Sequence, residues 1–246
     1  MIEHKRAYAL TRVLLRLLMP LVVRVRAEGV ENIPTTGPVI LTPNHIVMMD
    51  ILAMSVPVPR HVHHMAKVEL FRVPVLGGVI RYLGAFPVRR GESDRDALRM
   101  AFEVLAAGQV LVVFPEGHRS RTGRLAAGQP GVALIALRSG APVVPVAISG
   151  TEQVLKGWRY GPWAPKVRVA YGTPFTLADD ARTRREAVQS GTDTIMRRIA
   201  ELLPPAYRGI YADPATPSVT AAAEQPGLLA DDSLANASET TPPSAS

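Results

Sequence analysis

His45 and Asp50 are the residues of this chain best suited by type to move a proton. An unprotonated imidazole accepts one near neutral pH, and a carboxylate can hold the opposite ring nitrogen in one tautomer. The two stand five positions apart, so on one regular helix they would lie roughly 140° apart and could not touch. A pairing therefore requires His45 in a turn and Asp50 in the first turn of the following helix. Spacing alone leaves two outcomes open, a general-base pair facing a substrate hydroxyl and a structural or capping hydrogen bond. A second polar cluster, Glu116-Gly117-His118-Arg119, follows an apolar run over residues 109–115, as Asn44-His45 follows the run over 38–42. Ligands of open α/β sheets bind at the carboxyl ends of strands, so the two clusters are expected to share one site.

Other chemistry-bearing residues suggest less. His61, His63 and His64 have metal-ligating side chains, but on a strand His63 and His64 point to opposite faces, and no acidic partner lies nearby. A structural or surface role is expected for them. Ser120 and Ser149 lack the G-x-S-x-G turn of a serine hydrolase. Met48, Met49 and Met54 are compatible both with an acyl channel and with ordinary core packing. Arg184, Arg185, Arg197 and Arg198 are expected on a solvated helix face. With no cysteine at all, the chain has no disulfide framework, thiolate metal site or cysteine nucleophile.

The elements that must position the two clusters can be read from periodicity. Residues 38–42, 61–67, 85–88, 109–115, 142–150 and 166–172 read as strands. Helices are predicted around Met49 to Ser55 and over 70–84, 94–107 with Asp94 as N-cap, 131–140 and 183–203. Strands interleaved with helices predict a single α/β domain with a largely parallel central sheet flanked by helices.

The 28 Lys and Arg residues against 21 Asp and Glu give a net charge of +7. Residues 209–246 hold acidic groups and no basic one, so the first 208 carry +12. Aromatic residues make up 5% of the chain, too few to suggest base stacking, and no nucleic-acid partner is expected. Residues 5–26 interleave Lys5, Arg6, Arg12, Arg16, Arg24 and Arg26 with Leu, Val and Met, and Pro20 is expected to kink or end the first helix. The longest uncharged run there, Leu17 to Val23, falls far short of the ~20 residues of a membrane span. Arginines within the run also argue against a secretory signal. An interfacial helix on an anionic membrane surface is one reading, and packing on the domain is the other. From about Ala212 the chain is rich in Ala, Thr, Ser and Pro and reads as a disordered tail. The expected organisation is a membrane-associating segment over 1–26, a domain over 27–211 and the tail over 212–246.

Four blocks in order carry a resemblance. Asn44-His45-Ile46-Val47-Met48-Met49-Asp50 resembles the NHxxxxD motif of the glycerolipid acyltransferases, the group that contains the 1-acylglycerol-3-phosphate acyltransferases. Gly84-Ala85-Phe86-Pro87-Val88-Arg89-Arg90-Gly91 is similar to that family's second motif, Phe114-Pro115-Glu116-Gly117-His118-Arg119-Ser120 to its third and Val143-Val144-Pro145-Val146 to its fourth. Ala66-Lys67 and Glu69-Leu70-Phe71 resemble the segment before the second motif. The likeness spans roughly residues 25 to 175.

The resemblance implies acyl transfer from an acyl thioester, on coenzyme A or acyl carrier protein, to a hydroxyl of a lysophospholipid acceptor, without metal or other cofactor. It implies His45 as general base, Asp50 as its orienting partner, and Arg90, Glu116, Gly117 and Arg119 as acceptor-binding residues. A peripheral place on the cytoplasmic face of the membrane is expected, from Arg12, Arg16, Arg24 and Arg26 among apolar clusters. Three positions depart from the family pattern: Arg89 where many members have Asp, His118 where Thr is usual, and Gln129-Pro130 before Gly131 where Lys is common. These departures bear on the choice of acceptor headgroup.

Overall fold

The computed structural model describes residues 5–89, 94–156, 163–178 and 183–212. Its framework is a seven-stranded sheet made from the predicted strands and one more. The strands are β1 (Arg24–Glu28), β2 (Val39–Pro43), β3 (Val62–Lys67), β4 (Ala85–Val88), β5 (Val110–Val112), β6 (Val143–Ser149) and β7 (Lys166–Tyr171). They lie in the order β1-β7-β6-β2-β5-β3-β4. The five strands from β6 to β4 are mutually parallel. β7 runs antiparallel to β6, and β1 is parallel to β7. The sheet is thus largely parallel, with its direction reversed at one edge.

Side-chain alternation along these strands sorts the core into two layers. Ile40, Leu111, Val143 and Ala147 face α4 (Arg95–Ala106), α5 (Gly131–Ser139) and α7 (Arg184–Leu202), where Ala101, Ile135, Ile195 and Ile199 meet them. Val39, Leu41, Val110, Val112, Val144 and Val146 face the opposite side with Ala53 and Met54 of α2 (Met49–Ser55). Val23 and Met19 at the end of α1 (Lys5–Val22) join this second layer. α3 (Leu76–Tyr82) precedes β4, and the short α6 (Gln153–Lys156) follows β6. Asp94 caps α4 by accepting the Ala97 amide.

Four boundaries differ from the sequence reading, each for a local reason. The region 70–84 is a 3-10 turn over Val68–Arg72 followed by α3, because Pro74 disfavours helical geometry at Val73, which is extended. The strand expected over 109–115 ends at Val112. The Val113 amide still donates to the Leu41 carbonyl, after which Phe114 and Pro115 turn out of the sheet. Pro20 does not end α1, which continues two residues to Val22 because a proline in the last turn interrupts little of the ladder. Arg24 and Arg26, read together with the segment 1–26, stand outside α1. They belong to β1, which pairs with β7 from Arg24↔Lys166 to Glu28↔Ala170, so the division drawn at residue 26 cuts through a strand. The Arg168 guanidinium reinforces the pairing with a 2.8 Å contact to Glu28. The segment read as a tail lies, from residue 213 on, outside the described residues.

Two devices hold the segments that lead into the site. Gly84 opens β4 at φ +88°, and a Cβ there would sit 2.6 Å from the Val62 carbonyl oxygen, so this motif position requires glycine. The buried Tyr171 hydroxyl of β7 donates to the Met54 carbonyl, tying α2 down onto the sheet. Tyr171→Phe leaves that buried carbonyl without its partner and is expected to cost about 1–3 kcal/mol of stability, read as a lower urea midpoint at unchanged m-value.

Candidate active site

β2 delivers Asn44 and His45 to the carboxyl edge of the sheet, and α2 begins four residues beyond His45. Pro43 and Pro145 sit in the paired registers of β2 and β6 and have no amide hydrogens to donate. Asn44 takes over the ladder beyond them. Its Nδ2 donates to the Ile148 carbonyl at 2.9 Å and its Oδ1 accepts the Ile148 amide at 2.7 Å. A side-chain amide here reproduces one residue of strand pairing and fixes where the chain leaves the sheet.

His45 and Asp50 meet as the spacing requires, one in the turn and the other in the first turn of α2. His45 Nδ1 lies 2.9 Å from Asp50 Oδ2, and both side chains are buried. The same Oδ2 accepts the amides of Ile46 at 2.5 Å and Val47 at 2.7 Å. Three donors converge on one acceptor oxygen, so the ring carries its proton on Nδ1 and leaves the Nε2 lone pair for substrate. Phe114 stacks on the imidazole at a centroid distance of 4.1 Å and sets its plane.

The second cluster grips the backbone of the first. The His45 amide donates to Glu116 Oε1 at 3.0 Å, and the His45 carbonyl accepts the Ser120 amide at 2.7 Å. Glu116 Oε2 accepts the Ala126 amide at 2.9 Å. With 1% of its surface exposed and both oxygens engaged by backbone, Glu116 is a strut between two loops. Glu116, expected among the acceptor-binding residues, is placed with one oxygen on the His45 amide and the other on the Ala126 amide. Gly117 is likewise a backbone device. At φ +72° it closes a turn in which its amide donates to the Phe114 carbonyl at 3.1 Å.

Arg119 is exposed beside these loops, and among the described residues its guanidinium has no carboxylate partner. Arg90 lies outside the described residues. Arg89 is exposed, with its amide on Asp94. The histidines of β3 divide between the two faces as alternation requires. His61 Nδ1 and His63 Nε2 lie 3.1 Å apart, while the buried His64 contacts Ser55 Oγ at 3.1 Å. Burial, with His63 and His61 adding to it, pushes His64 down to about 3, so it is neutral at physiological pH. Among the described residues no cluster of three or more His, Cys, Asp or Glu is placed to hold a metal ion. Met54 is fully buried core, whereas Met48 is half exposed in the turn between His45 and Asp50. On α7, Arg197 pairs with Asp193 and Arg198 lies over the Phe175 ring, so these two are engaged rather than simply solvated.

Asn44, Phe114 and Ser120 act in the site although residue type alone did not single them out. Their signals were membership of the first and third motif blocks and, for Asn44, the position directly after Pro43, where a backbone donor is missing.

Burial raises Glu116 to about 7, and nearby Asp50 adds to the effect, against the opposing pull of the two amides. In the unfolded chain the same group ionises near 4.5. Between these values the folded protein holds the extra proton, so stability falls as pH rises through that window and levels off above it. Glu116→Gln is expected to abolish this component of the pH dependence in urea titrations. It should also lower turnover, because its amide nitrogen sets a donor against one of the two backbone N–H groups.

An acyltransferase family model matches residues 24–149, half of the chain. The 1-acyl-sn-glycerol-3-phosphate acyltransferase of Bacillus subtilis is 27% identical over 190 residues, covering 76% of this chain and 92% of that protein. The chloroplast LPAT1 enzyme of Arabidopsis thaliana, a 1-acyl-sn-glycerol-3-phosphate acyltransferase, is 30% identical over 135 residues, 54% of this chain. The chain spans only 38% of the length of that plant protein. The crystal structure of the 1-acyl-sn-glycerophosphate acyltransferase PlsC of Thermotoga maritima superimposes with a TM-score of 0.61 at 28% identity, covering 82% of this chain and 84% of that one. The matched region contains the Asn44 clamp, the His45–Asp50 pair and the Glu116 strut, and the chain belongs to the acyltransferase family.

Proposed function

We propose that the protein transfers a fatty acyl group from an acyl thioester, on coenzyme A or acyl carrier protein, to the free hydroxyl of 1-acylglycerol-3-phosphate, giving phosphatidate. The observation that carries this reading is the buried His45–Asp50 pair with Nε2 left unbonded among the described residues at the carboxyl edge of the sheet. A hydroxyl is a weak nucleophile near neutral pH, and His45 Nε2 removes its proton as the oxygen attacks the thioester carbonyl. Asp50 stabilises the imidazolium that forms, and collapse of the tetrahedral intermediate expels the thiolate, which takes the proton back. The acceptor attacks directly, so no acyl-enzyme forms. Arg119, with Arg90 by the motif resemblance, receives the acceptor phosphate through charged, planar hydrogen bonding.

The exposed residues Leu14, Leu17, Leu18 and Leu21 of α1, with Arg12 and Arg16 on the same helix, suit the plane of an anionic bilayer. No helix among the described residues is long and apolar enough to cross a membrane. We assign the protein to a peripheral position on the cytoplasmic face, where the thioester donors are available. Arg89 and His118, which depart from the family pattern beside the proposed phosphate site, favour as second reading a different lysophospholipid headgroup.

Release of free thiol from palmitoyl-coenzyme A, with lysophosphatidate present or absent, tests the reaction, and a panel of lysophospholipids separates the two acceptor readings. Donor turnover that ignores every hydroxyl acceptor would refute both. His45→Ala is expected to lower turnover by at least ~10²-fold, and Asp50→Asn to be severely impaired while still binding substrate. Arg119→Ala should lower kcat/KM for the acceptor by about one to two orders of magnitude, the size of a lost charged hydrogen bond.

A further inference from the structure

We propose that residues 73–79 form a second membrane-inserting element, an apolar ridge that enters the hydrocarbon of an anionic leaflet alongside α1. The inference rests on the reading of the protein as an enzyme of bilayer lipid. Val73, Val75, Leu76 and Val79 expose 45%, 83%, 40% and 46% of their surface, although the segment beneath them is firmly packed. Phe71 is buried under the ridge, and Gly77 lies so close to it that a Cβ would fall 2.4 Å from the Phe71 carbonyl oxygen. The outward side chains are therefore held in place rather than loosely draped. Val75 is also the sole non-glycine residue with positive φ among the described residues, at +66°. A β-branched side chain is costly in that region, and the turn is held by the Leu76 amide on the Pro74 carbonyl at 2.7 Å and the Gly77 amide on the Val73 carbonyl at 3.0 Å.

Charge identifies the occupant. Residues 70–91 contain Arg72, Arg81, Arg89 and Arg90 and no Asp or Glu, and residues 5–27 hold six basic groups and no acidic one. Apolar tips flanked by Arg72 and Arg81, which have no carboxylate partner among the described residues, match acyl chains beneath phosphate headgroups, whereas a protein partner would have to supply both apolar and acidic surface. The two elements adjoin, since Thr11 Oγ1 of α1 lies 3.0 Å from the Tyr82 hydroxyl at the end of α3. The ridge also leaves the sheet after Lys67, at the same carboxyl edge that carries His45. Its insertion would bring that edge to the level of the lipid glycerol.

Because the chain contains no cysteine, single introduced thiols report one position each. Val75→Cys, Leu17→Cys on α1 and Glu201→Cys on α7 are labelled with an environment-sensitive nitrobenzoxadiazole dye. Each is mixed with phosphatidylcholine–phosphatidylglycerol vesicles carrying doxyl groups on the acyl chains. The expected result is a blue shift and quenching at positions 75 and 17 and none at 201. Quenching at 17 alone would overturn the ridge and leave the membrane reading of α1 intact, while quenching at neither would overturn both. A shift at 75 that grows with protein concentration without vesicles would instead assign the surface to a second copy, against the proposal. Val75→Asn with Leu76→Gln keeps a residue that tolerates positive φ and should weaken vesicle binding about ten- to a hundredfold. That variant should turn over a monomeric short-chain acceptor normally and the vesicle-embedded acceptor about tenfold more slowly. Equal loss on both acceptors would point to damage to the fold and overturn the ridge as a membrane element.

Discussion

The arrangement depends on one carboxylate oxygen. Asp50 Oδ2 receives the His45 ring, the Ile46 amide and the Val47 amide together. The two amides force the chain after His45 into a tight turn, and the turn is what brings a residue five positions away within reach of the ring. The carboxylate that orients the imidazole therefore also holds, through the Ile46 and Val47 amides, the turn that leads into α2. A change that loosens the helix start also loosens the base.

Around that oxygen the protein invests buried polar groups in holding backbone rather than ligand. Asn44 acts as a surrogate peptide opposite Ile148, Glu116 spans the amides of His45 and Ala126, and Ser120 contributes its amide and not its hydroxyl to the His45 carbonyl. Unpaired, each of these groups would cost about 1–3 kcal/mol in the interior. Paired, they join the loop after β2, the loop after β5 and strand β6 into one body before any substrate arrives. The motif residues thus fall into two kinds: those that meet substrate, and those that fix where the first kind stand.

Much of this was legible in the residues, and the exceptions have physical causes. The central strands β2, β5 and β6 are near-continuous Val, Ile and Leu runs, which sheets covered on both faces require, and all three were legible. β1 was missed because its alternation of Arg24, Val25, Arg26 and Ala27 continues the basic and apolar texture of α1, and period 2 is hard to see over five residues. The His45–Asp50 contact could be anticipated because helical geometry forbids the only alternative way of placing them together. The work of Glu116 could not, because a carboxylate that accepts backbone amides has the same sequence signature as one that binds ligand. Pro74 was visible, but its division of a continuous apolar stretch into a turn and a short helix was read through.

The edge pairing of β1 with β7 joins residues about 140 positions apart, as the Arg168–Glu28 bond measures directly. Until Lys166–Tyr171 has been synthesised, β1 has no strand to pair with, and the domain cannot close. Throughout that interval Met19 and Val23, which pack in the layer that β7 completes, also lack their full surroundings. The register of the sheet edge beside α1 is therefore set late, by residues 166–171, in whatever order the central strands form.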